Sequence, residues 1–277
     1  MRIIPYLGYN CLMRLDRLLA NSGYGTRSEI RILVRSHKVS VDGLVVSDPG
    51  ASVNENSNIS ILGQDVITKN KLYFVFDKPD GVLTAMEDKR LQTIADFIPQ
   101  TLNTKGLSPV GRLDYHTTGL LIITNDGELS HRLTSPKFNV PKTYLVDYDG
   151  DELSQEQIDI VSKGMTLSDK PNERIKLQPA KLVLIRPGKC LLILTEGKTH
   201  QVRRMIASFN RSVTKLARIS IGPISLSGFE ETLFSSKNEG IKDADIFDKL
   251  PTGTGELVEL TPEQISALLR SVGFDSI

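Results

Sequence analysis

Residues 111–127 read GRLDYHTTGLLIITNDG, and Asp114 is the carboxylate set between an arginine and two threonines ahead of the apolar run. Gly111 and Gly119 bracket it, Arg112 precedes it, and Thr117 and Thr118 follow. The loop delivers the chain into LLIIT, a stretch apolar enough to demand burial, so the acid is fixed at a strand edge instead of a mobile tip. An aspartate so placed serves as nucleophile or base when a cation keeps it ionised. It serves equally well as a structural carboxylate bonded to loop amides, and the motif in isolation leaves both readings open.

Two further stretches carry groups suited to work beside it. EGKTHQVRRMIASF, residues 196–209, predicts a helix starting near Thr199 with Val202, Met205, Ile206 and Phe209 turned to a core. Arg203 lies off that stripe, with the reach to act as counter-ion for Asp114 and to bond a phosphate; His200 and Gln201 sit near the helix start. An ordinary basic helix face is the competing reading. In PKTYLV, residues 141–146, Lys142, Tyr144 and Val146 alternate onto one face of a strand. That face either borders a cleft, where the Tyr144 ring stacks on a nucleobase, or packs into the core.

Other chemistries lack their residues. The chain has no Walker-type phosphate loop, no G-x-G-x-x-G after a strand and no G-x-S-x-G. Its four histidines, His37, His116, His131 and His200, share no metal-ligand spacing. Catalysis therefore falls to carboxylate, tyrosine, lysine or arginine. Glu128, Asp126 and Asp77 are the acids to pair with Asp114 if the reaction were glycoside hydrolysis, which wants two opposed carboxylates.

The elements that must position these groups divide in two. MRLDRLLANSGYGTRSEIRILVRSHKVSVDGLVV begins with a short helical face of Leu15, Leu18 and Leu19, then breaks at SGYGT. A second helix follows, with Thr26 and Glu29 spaced for a capping box and Ile30, Leu33 and Val34 inward. Arg27, Arg31 and Arg35 recur at four-residue spacing and share the opposite face, either to meet a phosphate backbone or simply to be solvated. KVSVDGLVV predicts a hairpin turning at Asp42-Gly43. SDPGASVNENSNISILG is turn-rich and ends in a strand, and QDVITKNK reads as a linker. From Leu72 onward strands dominate, in LYFVFDKP, GLLIITNDG, KTYLVDYDG, AKLVLIR and CLLILTEG. Helices are expected in TIADFIP, GELSHRLTS, SQEQIDIVSKG, THQVRRMIASF and TPEQISALLRS, the last capped by Thr261. The irregular spacing fits an α+β class and neither a repeat nor a doubly wound order.

Charge is distributed to match. The net charge of +1 hides six Lys/Arg against three Asp/Glu over residues 14–43, six against one over 196–218, and four against ten from 230 to the end. Two basic segments balanced by an acidic tail suit one face for an anionic ligand. No apolar run approaches membrane-spanning length, and Cys11 and Cys190, far apart in sequence, suggest no disulfide scaffold, so a reducing cytoplasm is expected. The opening residues are too short and too polar for a secretory signal, and Met13 is a second candidate start.

Taken together, these stretches resemble the bacterial ribosomal RNA pseudouridine synthases of the small-subunit type, from Met13 to the end of the chain. MRLDRLLANSGYGTRSEIRILVRSHKVSVDG resembles the S4-like RNA-binding module, in which glycine often stands where this chain has His37. FVFDKPDGVLT is similar to the opening strand and NKP-x-G segment, with Asp77 where asparagine is usual. GRLDYHTTGLLIITNDGELSHRLTSP resembles the family signature, KTYLV the strand bearing an active-site tyrosine, and EGKTHQVRRM the motif of a basic residue that pairs with the aspartate. LARISIGPISL is similar to the closing motif, and HRLTSPKFNVPKTYLV resembles the small-subunit enzymes more than their large-subunit relatives.

The resemblance implies a module over 13–62, a linker over 63–71, and a mixed, mainly antiparallel-sheet catalytic domain over 72–277. It implies Asp114, Tyr144 and Arg203 as catalytic residues. Arg27, Arg31, Arg35 and Lys38 of the module, with Arg112, Lys142, His200, Gln201 and Arg218 of the catalytic domain, are expected to meet RNA. The implied reaction breaks the bond from C1′ to N1 of a uridine flipped out of its stack, turns the uracil and joins C1′ to C5. No atom is gained or lost, so no cofactor or metal is expected. The expected partner is 16S ribosomal RNA, free or in an assembling small subunit, with the enzyme a monomer. A 23S-directed synthase and a non-catalytic RNA-binding or assembly factor are the competing functions.

Overall fold

The computed structural model describes residues 12–54, 57–66, 71–99, 102, 104, 106–168, 174–226, 247 and 252–274. Met1, Cys11, the middle of the expected linker and, Phe247 apart, the acidic stretch 239–249 lie outside the described residues. The described chain forms two compact units. One runs up to Leu72 and includes the described residues of 99–107; the other comprises Tyr73–Ile98 and the described residues from Ser108.

The first unit is built from β1 (Leu12–Arg14), α1 (Leu15–Asn21), α2 (Arg27–Arg35) and five short strands, β2 (Val39–Val41), β3 (Leu44–Val45), β4 (Ser52–Asn54), β5 (Ile59–Ile61) and β6 (Gln64–Val66). α2 starts where the capping box places it: Glu29 N–H donates to Thr26 Oγ1 at 3.3 Å and Thr26 N–H to Glu29 Oε2 at 2.7 Å. β2 and β3 turn at Asp42-Gly43, both with positive φ, as a two-residue hairpin of this hand requires. His37 also sits in the left-handed region, φ 58°, which is why glycine suits that position. The sheet order is β3-β2-β5-β6, with β1 paired separately to β4. Leu15, Leu18, Leu19, Ile30, Val34, Val53 and Ile59 close the core, each fully buried aliphatic contributing about 1.5–3 kcal/mol.

The second unit is a nine-stranded sheet. Its main path runs β13 (Lys181–Arg186), β14 (Lys189–Leu194), β10 (Lys142–Asp149), β15 (Ser212–Ile221), β9 (Thr118–Thr124), β7 (Tyr73–Lys78), β17 (Leu257–Glu259). β8 (Ser108–Pro109) pairs with β9 and β16 (Ile224–Ser225) with β15. Every pairing is antiparallel except β15 with β9, so the sheet is mixed and mainly antiparallel and the class is α+β. Two further short strands, β11 (Thr166–Leu167) and β12 (Ile175–Lys176), pair apart from it.

Helices α4 (Gln155–Lys163) and α5 (Gln201–Ala207) pack on Val146, Leu192, Leu194 and Leu216. Helices α3 (Gly127–Thr134) and α6 (Pro262–Arg270) pack on Leu120 and Ile122. Leu216 shares its face with Arg218, which pairs with Gly119, so strand alternation puts the two helix pairs on opposite faces. Two expectations change. TIADFIP is a single 3₁₀ turn, Ile94–Phe97, instead of an α-helix. The ten-residue strand β15, central to the sheet, was not expected, because Thr214, Lys215, Arg218 and Ser220 interrupt its apolar pattern.

Candidate active site

Asp114 lies on the loop between β8 and β9, and the loop's backbone is held along its length. Thr84 Oγ1 donates to the Leu113 carbonyl at 2.8 Å and accepts from the Leu113 N–H at 3.2 Å. The Asp114 carbonyl accepts from Thr117 N–H, closing a turn at 3.0 Å. The Tyr115 carbonyl accepts from Gly81 N–H at 3.1 Å and Lys78 Nζ at 3.2 Å. The His116 carbonyl accepts from Arg203 Nη2 at 2.8 Å, and the Thr117 carbonyl from Lys78 Nζ at 3.0 Å. From Leu113 to Thr117 every carbonyl therefore has a donor. The backbone freedom a loop would otherwise keep is removed, and the carboxylate points one way.

Lys78 supplies two of these bonds. Its ammonium, 0% exposed at the end of β7, also donates to the Pro79 carbonyl at 2.8 Å. Burial pulls its pKa down to about 8, against the attraction of Asp80 and Asp114. Neither Lys78 nor Thr84 stands among the residues expected at the site. The available signal was the lysine that ends an apolar strand in FVFDKP, a place where a charge needs a specific partner.

Beside the loop is a cleft of about 490 Å³ on the α5 face of the sheet. Leu83, Tyr144, Leu194 and Leu216 give it an apolar side, while Arg112, Asp114, Lys198 and His200 give it a polar one. Its size suits one small organic group. Asp114 is the only carboxylate among the described residues that line it. The other candidate acids are engaged elsewhere. Asp77 accepts from Gly253 N, Thr254 N and Thr254 Oγ1 at 2.7–2.9 Å. Asp126 caps α3 and accepts from Tyr73 Oη, and Glu128 pairs with Arg132. The described residues contain no group of three His, Cys, Asp or Glu placed to hold a metal.

Of the residues expected at the site, the cleft gathers Asp114, Tyr144, Arg112, His200 and Gln201. Four expectations need correction. Arg203 forms no ion pair with Asp114 within 4.0 Å; its guanidinium is taken by the carbonyls of His116 and Val213, so it holds the loop and not the carboxylate. The basic side chain nearest the carboxylate is His200, with Nε2 3.6 Å from Asp114 Oδ1. Gln201, 4% exposed, has its amide bonded to Glu196 Oε1 and Lys198 N–H, so it braces the turn before α5 from within the protein.

Lys142 and Arg218, expected to face RNA, are 8% and 3% exposed. Arg218 Nε donates to the Leu120 carbonyl at 2.8 Å, tying β15 to β9 from within the sheet. Lys142 Nζ donates to the Val140 carbonyl, and burial, then the Arg218 charge, pulls its pKa down to about 8.

In the first unit Arg27, Arg35 and Lys38 are exposed. Arg31 and Arg14 converge on the buried Asp16, each at 3.0 Å. That pair leaves Arg31 about half exposed and only partly committed to the interior.

A family model described as RNA pseudouridylate synthase matches residues 72–208, and one described as S4 domain matches residues 13–59. The chain is 38% identical to a ribosomal small subunit pseudouridine synthase A of Vibrio cholerae, over 80% of this chain and 92% of that protein. It is 32% identical to a ribosomal large subunit pseudouridine synthase B of Bacillus subtilis, over 92% and 95%. A crystal structure of a pseudouridylate synthase superposes with a TM-score of 0.58 at 30% identity, covering 92% of this chain and 99% of that one.

Proposed function

The chain belongs to the RNA pseudouridylate synthase family, and on that premise we propose that it converts one uridine of 16S ribosomal RNA to pseudouridine with Asp114 as the catalytic residue. The observation that carries this reading is the cleft itself, in which the one carboxylate among the described lining residues, on a loop whose Leu113–Thr117 carbonyls are all bonded, stands in the same cleft as the Tyr144 ring. The uridine enters flipped from its stack, its uracil laid on Tyr144. Cleavage of the C1′–N1 bond builds positive charge on the sugar and negative charge on the base. Asp114, about 3 Å from the reacting carbon once the substrate is bound, either bonds to C1′ or assists removal of a sugar proton. The uracil turns, C5 bonds to C1′ as the Asp114–C1′ bond breaks or the sugar proton is returned, and C5 loses its hydrogen while N1 gains one, so the atoms balance.

Arg203 and Lys78 act on the loop's backbone and are positioning residues for this chemistry. Arg112 at the cleft, with Arg27, Arg35 and Lys38 of the N-terminal unit, is assigned to RNA phosphates. We assign the RNA-binding module to 13–62, a linker to 63–71 and the catalytic domain to 72–277. The matches at 13–59 and 72–208 support it. We assign a monomer acting in the cytoplasm; among the described residues no helix is long and apolar enough to cross a membrane.

The test is a pseudouridine map of ribosomal RNA from cells lacking the gene, complemented with wild type or Asp114→Asn. Loss of one 16S pseudouridine, restored only by wild type, is the expected result. A 23S target is the second reading, favoured by the large-subunit relative that spans 92% of the chain. A missing 23S site in the same map would select it, and an unchanged map would contradict both.

A further inference from the structure

We propose that His200 is the positioning residue that orients the Asp114 carboxylate, by bringing a ring N–H to Oδ1 when a uridine fills the cleft. The proposal rests on Asp114 as the catalytic group. Its starting point is the separation of 3.6 Å between His200 Nε2 and Asp114 Oδ1, the only approach of a basic side chain to that carboxylate within 4.0 Å among the described residues. Arg203, the other basic neighbour, has its guanidinium drawn away by the carbonyls of His116 and Val213. Lys78 is likewise committed to three carbonyls behind the loop. These two hold the backbone, and the carboxylate itself is left to His200.

The turn that presents His200 is built to do so. His200 has φ 51° and ψ 29°, the left-handed region that a residue with a β-carbon rarely adopts. Such strain persists where its surroundings enforce it, and clusters at functional sites. Here the enforcing contacts are visible. Gln201 N–H donates to the Lys198 carbonyl at 3.0 Å, and Lys198 N–H donates to Gln201 Oε1 at 2.8 Å. Gln201 Nε2 donates to Glu196 Oε1 at 3.1 Å, and that oxygen also accepts from Gln178 N–H at 2.9 Å. Glu196 and Gln201 are both 4% exposed, so the knot is buried while the His200 ring stands 60% exposed at the cleft. A buried network that fixes an exposed ring in a strained backbone, aimed at one carboxylate, is an aiming device.

At 3.6 Å the contact is longer than a hydrogen bond. Catalytic hydrogen bonds are often long in an empty site and tighten in the substrate complex. The Asp114 side chain is 36% exposed, so water competes for it until a nucleoside displaces the water and strengthens the pairing. The imidazole fixes which oxygen of Asp114 faces the sugar, and RNA affinity, spread over many phosphates, does not depend on it.

The experiment uses the full chain and ribosomal RNA from cells lacking the gene, labelled with tritium at uracil C5. Single-turnover tritium release and RNA affinity are measured for wild type, Asp114→Asn and three variants at position 200. His200→Leu removes the donor, His200→Gln keeps an N–H of similar reach, and His200→Gly removes the side chain while relieving the backbone. Leu and Gly are expected to slow release about tenfold, with affinity within about twofold, and Gln to recover most of the rate. Equal losses in Leu and Gln, an unchanged rate in Leu, or a loss of affinity at constant rate would each overturn the proposal. Release by Asp114→Asn at the wild-type rate would instead sink the reading of Asp114 on which it stands.

Discussion

In the N-terminal unit Arg14 and Arg31, both about half exposed, converge on a buried aspartate, while in the catalytic unit a wholly buried Lys78 is shared among three backbone carbonyls. The two arrangements use cations for different ends. The arginines keep one side toward water, so their pairing is screened by salt, and their neighbours Arg27, Arg35 and Lys38 stay available to an anionic partner. The ammonium has surrendered its solvent, and its bonds fix the path of the Asp114 loop. Affinity is expected to reside in the first region and turnover in the second.

Apart from loss of the carboxylate itself, the largest expected effect is that of Lys78→Met. The Pro79 and Thr117 carbonyls would lose the donor on which they depend, whereas Tyr115 keeps Gly81 N–H. A loss of about 3 kcal/mol is expected from two buried acceptors left open, visible as a lower Tm. Single-turnover rate should fall by more than tenfold, while RNA affinity of the folded protein stays near wild type. A variant that melts earlier yet reacts at the wild-type rate would break the link between loop and chemistry.

A subtler test of the same lysine uses pH. With its pKa pulled down to about 8, Lys78 becomes neutral above that value and brings two protons to three carbonyls. The rate should decline above about pH 8, by up to tenfold per unit. Stability moves the other way. Between about 8 and the ordinary 10.5 the unfolded chain binds the extra proton, so this group makes folding more favourable as pH rises. Lys142, pulled to the same range, has no bond to the loop. Lys142→Met should therefore leave the alkaline limb in place, and its disappearance would transfer the limb to the wrong lysine.

On the binding side, replacing Arg27, Arg35 and Lys38 by alanine should lower the slope of log affinity against log salt by about 2, at roughly 0.7 per phosphate contact on single-stranded RNA. Rate at saturating enzyme should not change. A fall in that rate would mean that the module takes part in the chemistry.

The smallest effect concerns Asp16. The hydrogen bond from Arg14, then that from Arg31, hold its pKa down to about 2 against the opposing effect of burial. A depressed carboxylate stabilises the fold above its unfolded value and loses that contribution as pH falls through the folded one. Asp16→Asn should flatten the acid arm of unfolding between about pH 4 and 2, with turnover at neutral pH unchanged.

Legibility in the sequence followed the distance over which each feature is decided. The Thr26–Glu29 box and the Asp42-Gly43 turn are settled within four residues, and both are found in place. Asp114 was legible as a candidate because its glycines, threonines and apolar strand adjoin it. The contacts that hold it were not: Lys78 reaches Thr117 across 39 residues and Arg203 reaches His116 across 87. Arg218 and Lys142 were misread for a related reason. A cation in a strand reads as surface unless the carbonyls that receive it are known, and those belong to Leu120 and Val140 in the folded sheet.

The most direct test of the account is to measure single-turnover rate and RNA affinity together for Asp114→Asn against wild type. The account predicts that pseudouridine formation ceases while affinity stays within about twofold, since the carboxylate adds no phosphate contact. Residual turnover near the wild-type rate, or affinity lost in step with activity, would contradict it.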